Sequence, residues 1–395
     1  MIGFDEALGH VRALARPLDI EEVPLAQARG RVLAAPVEAR VSAPSADVSA
    51  MDGYAVRDAD LAPLPARLNV AGESFPGQGY AAPLEQGSCV RIFTGAPVPA
   101  GADRVILQEV VRREGDVAVL EAAPSLARHI RSAGSDFHQG DVLLEAGTRL
   151  GPRQIVAAAA ADMGRLPVHR RPKLIVLSTG DELAPPGTAR DRPETIPESV
   201  SHGVAALAEE WGAQHLGGVA LPDRLDEMER AAELALRDAD LVVVTGGASV
   251  GERDFAKRMF EGRNLDLVFS KVSIKPGKPV WLARGHGRIV LGLPGNPGSA
   301  MVTARLFLAP LIAGLSGRDP GAAARWRKLP LVNGAPAAGE RETFARGRAE
   351  GEGVRIAPNQ ESGAQRTLAE SDLLVRLRPG HPALGPGTLV EVIDF

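Results

Sequence analysis

Cysteine is almost missing from this chain of 395 residues, since Cys89 stands alone. That excludes an internal disulfide and any zinc site built on several cysteines, and it suits a reducing cytosol. Aromatic residues are scarce at 4%, which fits a chain of several compact subdomains. Neither sign of charge dominates: 45 Lys and Arg against 49 Asp and Glu leave a net charge of −4. There is no basic excess of the kind that binds nucleic acid or an anionic membrane. Long apolar runs are absent too; "IVAAAAA" falls far short of the roughly 20 residues that span a bilayer. The opening, "MIGFDEALGHVRALARP", places acids early and Phe4, Leu8, Val11, Leu14 and Ala15 at helical period, unlike a signal peptide. The histidines show no metal-ligand spacing and no nucleophile partner in sequence, and Cys89 has no flanking motif, so nucleophilic catalysis has no support.

What the chain does have is punctuation, with 44 Gly and 31 Pro. At about 150 residues per domain, its length predicts two to four domains. Residues 4–40 predict two short helices with a turn at 17–24. Residues 43–142 change to short β-type runs such as "RLNVAGES" and "SCVRIFTG". Helix resumes at "PRQIVAAAAADM", with proline in the first turn. The β segment therefore reads as an insert between two parts of a helical, linking domain (1–42 and 143–171). From 172 to 326 strand, loop and helix alternate, as in an α/β domain with a parallel sheet covered on both faces. A second β domain, barrel-like, is expected over 327–395.

In an open parallel sheet, ligands bind outside the carboxyl ends of the strands. After "KLIVLS" comes Thr179-Gly180-Asp181-Glu182, and after "HLGGVAL" comes Pro222-Asp223. After "LVVV" comes Thr245-Gly246-Gly247-Ala248-Ser249-Val250-Gly251, and Asp254 closes that loop. After "RIVLGL" comes Pro294-Gly295-Asn296-Pro297-Gly298-Ser299. Glycines let backbone approach a ligand, and N–H groups at a helix start favour anions. Two such loops on one rim, with Glu182, Asp223 and Asp254 between them, point to a phosphate held with a divalent cation, for which Mg²⁺ is suited. Singly, each is also an ordinary turn or helix cap.

"KVSIKPGKPVWLA" adds Lys275 and Lys278. Two ammonium groups across Pro276-Gly277 can converge on one compact oxyanion, or form a solvated turn. Ser299 either adds a hydroxyl to that anion or caps a helix. In the insert, Asp52-Gly53 and Thr94-Gly95 are explained by turns alone.

"SAMDGYAVR", "AGESFPGQ", "RIFTGAPVPAGAD", "STGDEL", "GGASVGERD", "IKPGKP" and "LPGNPGSAM", in this order, resemble the molybdopterin molybdenumtransferase family, the MoeA and gephyrin E-domain group. The match spans nearly the whole chain. The resemblance implies an enzyme that inserts molybdate into adenylylated molybdopterin with Mg²⁺, releasing AMP and molybdenum cofactor in the cytoplasm. It implies a homodimer, with Asp52 and Thr94 closing the partner subunit's site. It places Glu182, Asp223 and Asp254 on the nucleotide, metal and insertion side, and Lys275, Lys278, Ser299, Arg346 and Ser362 on the molybdate side. Its implied partners are a molybdopterin adenylyltransferase and downstream molybdenum-cofactor enzymes. Two segments depart from the family pattern: "TIPESVSHG" replaces an Asp-Ser-Asn stretch, and Ser371-Asp372 replaces Ala-Asn. The alternative these allow is a paralogue that binds molybdopterin as a scaffold without inserting metal.

Overall fold

The computed structural model describes residues 1–246 and 255–395. Its central sheet has six strands in the order Gln214–Leu221, Lys173–Thr179, Leu241–Thr245, Arg288–Leu293, Trp281–Gly285 and Asp266–Phe269. The first four are parallel, and the last two join antiparallel, so the sheet is not parallel throughout. The apolar run at 241–244 is explained by burial on two sides. Leu241 and Val243 face one cluster while Val242 and Val244 face the other, as the two-residue period of a strand demands. Val200–Trp211 and the helix Pro297–Leu315 cover the first face; Leu225–Asp238 and Phe255–Arg258 cover the second. Pro297–Leu315 has the length and apolarity to cross a membrane, but 94% of it is buried inside the molecule, as the core helix of this domain.

The first predicted helix forms at Phe4–Leu14. Its apolar face is fully used inside the chain, with Phe4 against Phe344 at 4.7 Å and against Phe307 at 5.8 Å, so it leaves no exposed apolar face there for a second protomer. Asp5 on its outer side accepts from Arg376 at 2.7 Å. The helix thus joins the α/β core to the C-terminal sheet and packs away from residues 143–171. The turn expected at 17–24 and the second helix expected after it are corrections: Ile20–Pro24 is a strand, antiparallel to Arg165–His169, and residues 25–40 hold only a 3-10 turn at Leu25–Gln27 and a short strand at Val37–Glu38. Gly30 at φ +77° and Pro36 leave too few uninterrupted residues for a stable helix after 24, and the partner strand supplies the hydrogen bonds of 20–24. Val23, Leu33, Val37, Leu150, Leu166 and Val168 close a small core around this ribbon.

The inserted segment forms a six-stranded sheet, ordered Arg104–Leu107, Gly53–Val56, Ser88–Ile92, Ala66–Ser74, Val117–Leu120 and Val111–Glu114. The C-terminal sheet is ordered Ile274–Lys275, Glu342–Glu350, Leu373–Leu377, Leu389–Asp394 and Arg327–Pro330, with Gly353–Ile356 beside Glu342–Glu350. Its edge strand Ile274–Lys275 comes from the α/β segment, and that loan positions the first predicted lysine.

Candidate active site

Three strand ends of the central sheet meet at backbone contact. Gly246 has φ +88°, and a Cβ there would fall 2.4 Å from the carbonyl oxygen of Thr179. Only glycine fits that geometry. The α-carbon of Gly246 in turn lies 3.2 Å from where a Cβ on Gly295 would stand. Around this contact opens a cleft of about 680 Å³ whose walls include Thr179, Gly180, Glu182, Asp223, Pro294 and Asn296. Gly246, Gly295 and Pro297 line it as well. Asp181 does not line the cleft; its Oδ1 accepts from the backbone N–H of Asp223 at 3.0 Å and so fixes the loop that presents Asp223. Gly247, Ser249, Gly251 and Asp254 lie outside the described residues.

Glu198 was not foreseen. It lines the same cleft and is buried. It accepts from the Ser201 N–H at 2.8 Å and from the Ser201 hydroxyl, and so caps the helix Val200–Trp211. It sits within the segment that departs from the family pattern, and an acid followed by Ser-x-Ser ahead of an apolar helix was the available signal.

The predicted lysines line a second cavity, of about 1040 Å³, with Ser299 and Ser362. Lys275 is held because its strand pairs with Glu342–Glu350, Lys275 opposite Thr343. Arg341, missed from sequence, lines the cavity and donates to the carbonyl of Ile274 at 3.3 Å. Among the described residues neither lysine nor Arg341 has a carboxylate within ion-pair distance. Three such cations and two hydroxyls give this surface the donors that an oxyanion takes, with Glu361 as the acid on the same lining.

Arg346 does not line the cavity; it lies fully buried behind the wall. Its guanidinium donates to the carbonyl of Glu361 at 2.8 Å and to that of Ala364 at 3.3 Å. Burial pushes its pKa below the usual arginine value. Gln360 bonds both the N–H and the carbonyl of Arg346. Arg346 therefore sets the loop that carries Ser362. Gly298 makes room for it, because a Cβ at that position would stand 2.7 Å from the guanidinium. The other departing segment also has structural work: Asp372 accepts from the Ala349 N–H at 2.8 Å, and the Ser371 hydroxyl donates to the Thr367 carbonyl at 2.7 Å.

Cleft and cavity are neighbours. Pro279 lines both, and the Asn296 side-chain amide donates to the Ser362 hydroxyl at 3.0 Å across the boundary.

Asp52 and Thr94 stand together in the inserted sheet and line neither space. Oδ1 of Asp52 accepts from the Thr94 N–H at 2.7 Å and from its hydroxyl at 2.8 Å. These bonds, the backbone one first, hold the carboxyl below the usual carboxylate range. Cys89 is buried, and burial pushes its thiol up to about 12, which removes it as a nucleophile. Among the described residues no group of three or more His, Cys, Asp or Glu is placed to hold a metal; Glu182 and Asp223 are the two predicted acids that share the cleft.

The chain matches the MoeA N-terminal region (domain I and II) over residues 2–162, a probable molybdopterin binding domain over 175–314, and the MoeA C-terminal region (domain IV) over 328–395. It is 37% identical over 332 residues to the molybdopterin molybdenumtransferase of Haemophilus influenzae, covering 84% of this chain and 80% of that one. The chain belongs to the molybdopterin molybdenumtransferase family. The family's member from Nostoc sp. is 32% identical over 389 residues, 95% of this chain and 89% of its own. Among solved structures, the molybdopterin biosynthesis MoeA protein from Pyrococcus horikoshii superposes with a TM-score of 0.82 at 27% identity, each chain fully covered. As a member of this family the protein is a transferase of molybdenum cofactor biosynthesis, with the multidomain α/β and β fold described above.

Proposed function

We propose that the protein inserts molybdate into adenylylated molybdopterin, releasing AMP and molybdenum cofactor. The observation that carries this is the pairing of an acid-lined, glycine-cradled cleft with an adjoining cation-lined cavity, joined at Pro279 and the Asn296–Ser362 bond. The adenylyl phosphates fit the cleft, where the backbone of 179–180, 246 and 294–297 approaches closely. Glu182 and Asp223 have the oxygen donors that Mg²⁺ takes, and Asp254 is proposed as a third. Bound there, Mg²⁺ would offset phosphate charge as the phosphoanhydride is cleaved. Molybdate, a dianion with acceptor oxygens only, fits beside Lys275, Lys278, Ser299 and Ser362. These cations offset the charge brought together when the dianion meets the anionic pterin substrate.

The working unit is proposed as a homodimer, in which Asp52 and Thr94 of one protomer complete the cleft of the other. An adenylyltransferase would supply the substrate, cofactor-dependent molybdenum enzymes would take the product, and the setting would be the cytoplasm. The test is incubation of the purified protein with adenylylated molybdopterin, molybdate and Mg²⁺. Stoichiometric AMP and reconstitution of a cofactor-free molybdoenzyme are expected. Pterin binding without AMP at saturating metal would replace this with the scaffold reading.

A further inference from the structure

Of the acids that line the cleft among the described residues, Glu182 and Asp223 have a task above, and Glu198 has none beyond capping a helix. The cap alone does not call for it. Ser199 stands in the N-cap place of Val200–Trp211 and its hydroxyl makes no capping bond there. Serine is among the preferred caps, and it would spare the cost of a carboxylate held at 7% exposure. Among the described residues the only ion-pair neighbour of Glu198 is the exposed His202, whose Nε2 lies 3.9 Å from Oε2.

A carboxylate offers about four acceptor positions. Oε1 of Glu198 takes the Ser201 N–H at 2.8 Å and the Ser178 hydroxyl at 3.4 Å. Among the described residues Oε2 accepts from the Ser201 hydroxyl alone, so acceptor capacity is left on a residue that lines the cleft. Mg²⁺ keeps several waters and suits exposed acids better than this buried one. A hydroxyl suits it well, because a carboxylate holds an O–H through a short charge-assisted bond. The neighbouring wall is apolar, with Leu183 opposite Ile196 in a short parallel ribbon, and the Glu198 N–H is fixed to the Ala184 carbonyl at 2.8 Å. Glu182, by contrast, is exposed and stands beside Gly180, where a Cβ would fall 2.5 Å from its Oε2. Glu198 meets the same chain two residues earlier, at Ser178, roughly 7 Å away along an extended strand. That is the reach from a 5′-phosphate to the 2′- and 3′-hydroxyls of its own ribose.

We infer that Glu198 is the ribose-binding residue of the cleft, its Oε2 accepting a hydrogen bond from a ribose hydroxyl of the nucleotide whose phosphates lie beside Glu182. A carboxylate is the group that open α/β sheets use for a ribose hydroxyl. The inference rests on the reading of the cleft as the adenylyl site. It adds the contact that tells a ribonucleotide from its deoxy counterpart, and it gives the buried acid a task separate from the chemistry.

Calorimetry of AMP and of 2′,3′-dideoxy-AMP, each titrated into the full-length protein with Mg²⁺ present, tests it. The wild type is expected to bind AMP about 20-fold tighter than the dideoxy nucleotide, the scale of a hydrogen bond to a charged acceptor. In Glu198→Ala the ratio of the two affinities is expected to fall to near one. In Glu198→Gln, which keeps the shape and offers a neutral acceptor, it is expected to fall to about three-fold, and this variant decides alone if the alanine variant does not fold. The ratio is the readout because a loosened helix start would weaken both nucleotides alike. A ratio near one in the wild type overturns the inference, and so does a wild-type ratio that survives in Glu198→Ala or Glu198→Gln, which would leave the acid as a helix cap. If AMP does not bind at all, the subsite falls together with the adenylyl reading of the cleft. AMP bound without discrimination overturns the subsite and leaves that reading standing.

Discussion

The cleft and the cavity adjoin, yet they are built in opposite ways. The cleft is assembled from the carboxyl ends of parallel strands in one sheet, by short loops whose glycines touch backbone to backbone. The cavity lies between two sheets: its lysines come from the α/β segment, and its far wall, residues 358–363, comes from the C-terminal domain. In the cleft, main-chain geometry does the positioning. In the cavity, a buried side chain, Arg346, does it from behind. The difference teaches that the two halves should fail differently, the cavity through a single residue and the cleft through several loops at once.

The largest effect is expected from Arg346→Met, which leaves the carbonyls of Glu361 and Ala364 without their donor. Stability should fall by about 2–4 kcal/mol in urea unfolding, and molybdate dependence should be lost with it while nucleotide binding in the cleft persists. Equal loss of nucleotide binding would show that the two regions are one structural unit.

Removing the exposed cations comes next. Lys275→Ala with Lys278→Ala should raise half-saturating molybdate about 100-fold, from two charge-assisted contacts. The unfolding midpoint should stay near that of the wild type, because neither lysine is buried. A large stability loss would mean that the lysines hold the fold together and not the anion.

Asn296→Ala removes a side-chain hydrogen bond across the boundary, the single one among the described residues. A neutral hydrogen bond contributes about 1 kcal/mol, so if that bond couples the two regions, each ligand's affinity should depend about five-fold less on the presence of the other than in the wild type, read by calorimetry of each ligand with and without the other.

The smallest effect belongs to Asp52. Its folded pKa is depressed by Thr94, so its stabilising contribution is fully present above the unfolded value near 3.9 and is lost as pH falls through the folded value. The stability difference between wild type and Asp52→Asn should be flat from neutral pH down to about 5 and should shrink below 4, followed by urea midpoints across that range. A difference that grows on acidification would contradict the Thr94 assignment.

The cleft was the legible half. The rule that ligands sit beyond parallel strand ends brought Thr179, Glu182, Asp223, Gly246 and Asn296 to one rim, and the structure lines one cleft with all of them. Asp181 differed because a carboxylate one residue from a turn is easily captured by a neighbouring N–H, here that of Asp223. In the cavity, the lysine pair was legible from its rigid loop. Arg341 and the positioning role of Arg346 were not, since both depend on the C-terminal sheet accepting Ile274–Lys275 as an edge strand, a pairing across about 70 residues that no local pattern announces. The strand at 20–24, where a turn was expected, was hidden for a related reason: Ile20–Pro24 takes the structure that its distant partner, residues 165–169, offers.

The central claim is that metal and anion are handled in separate, adjoining compartments. It is tested most directly by AMP release titrated along two axes, Mg²⁺ and molybdate, in wild type, Glu182→Gln and Lys278→Ala. The account predicts that Glu182→Gln shifts the Mg²⁺ midpoint and leaves the molybdate midpoint in place, while Lys278→Ala does the reverse. Equal shifts of both midpoints in both variants would contradict it.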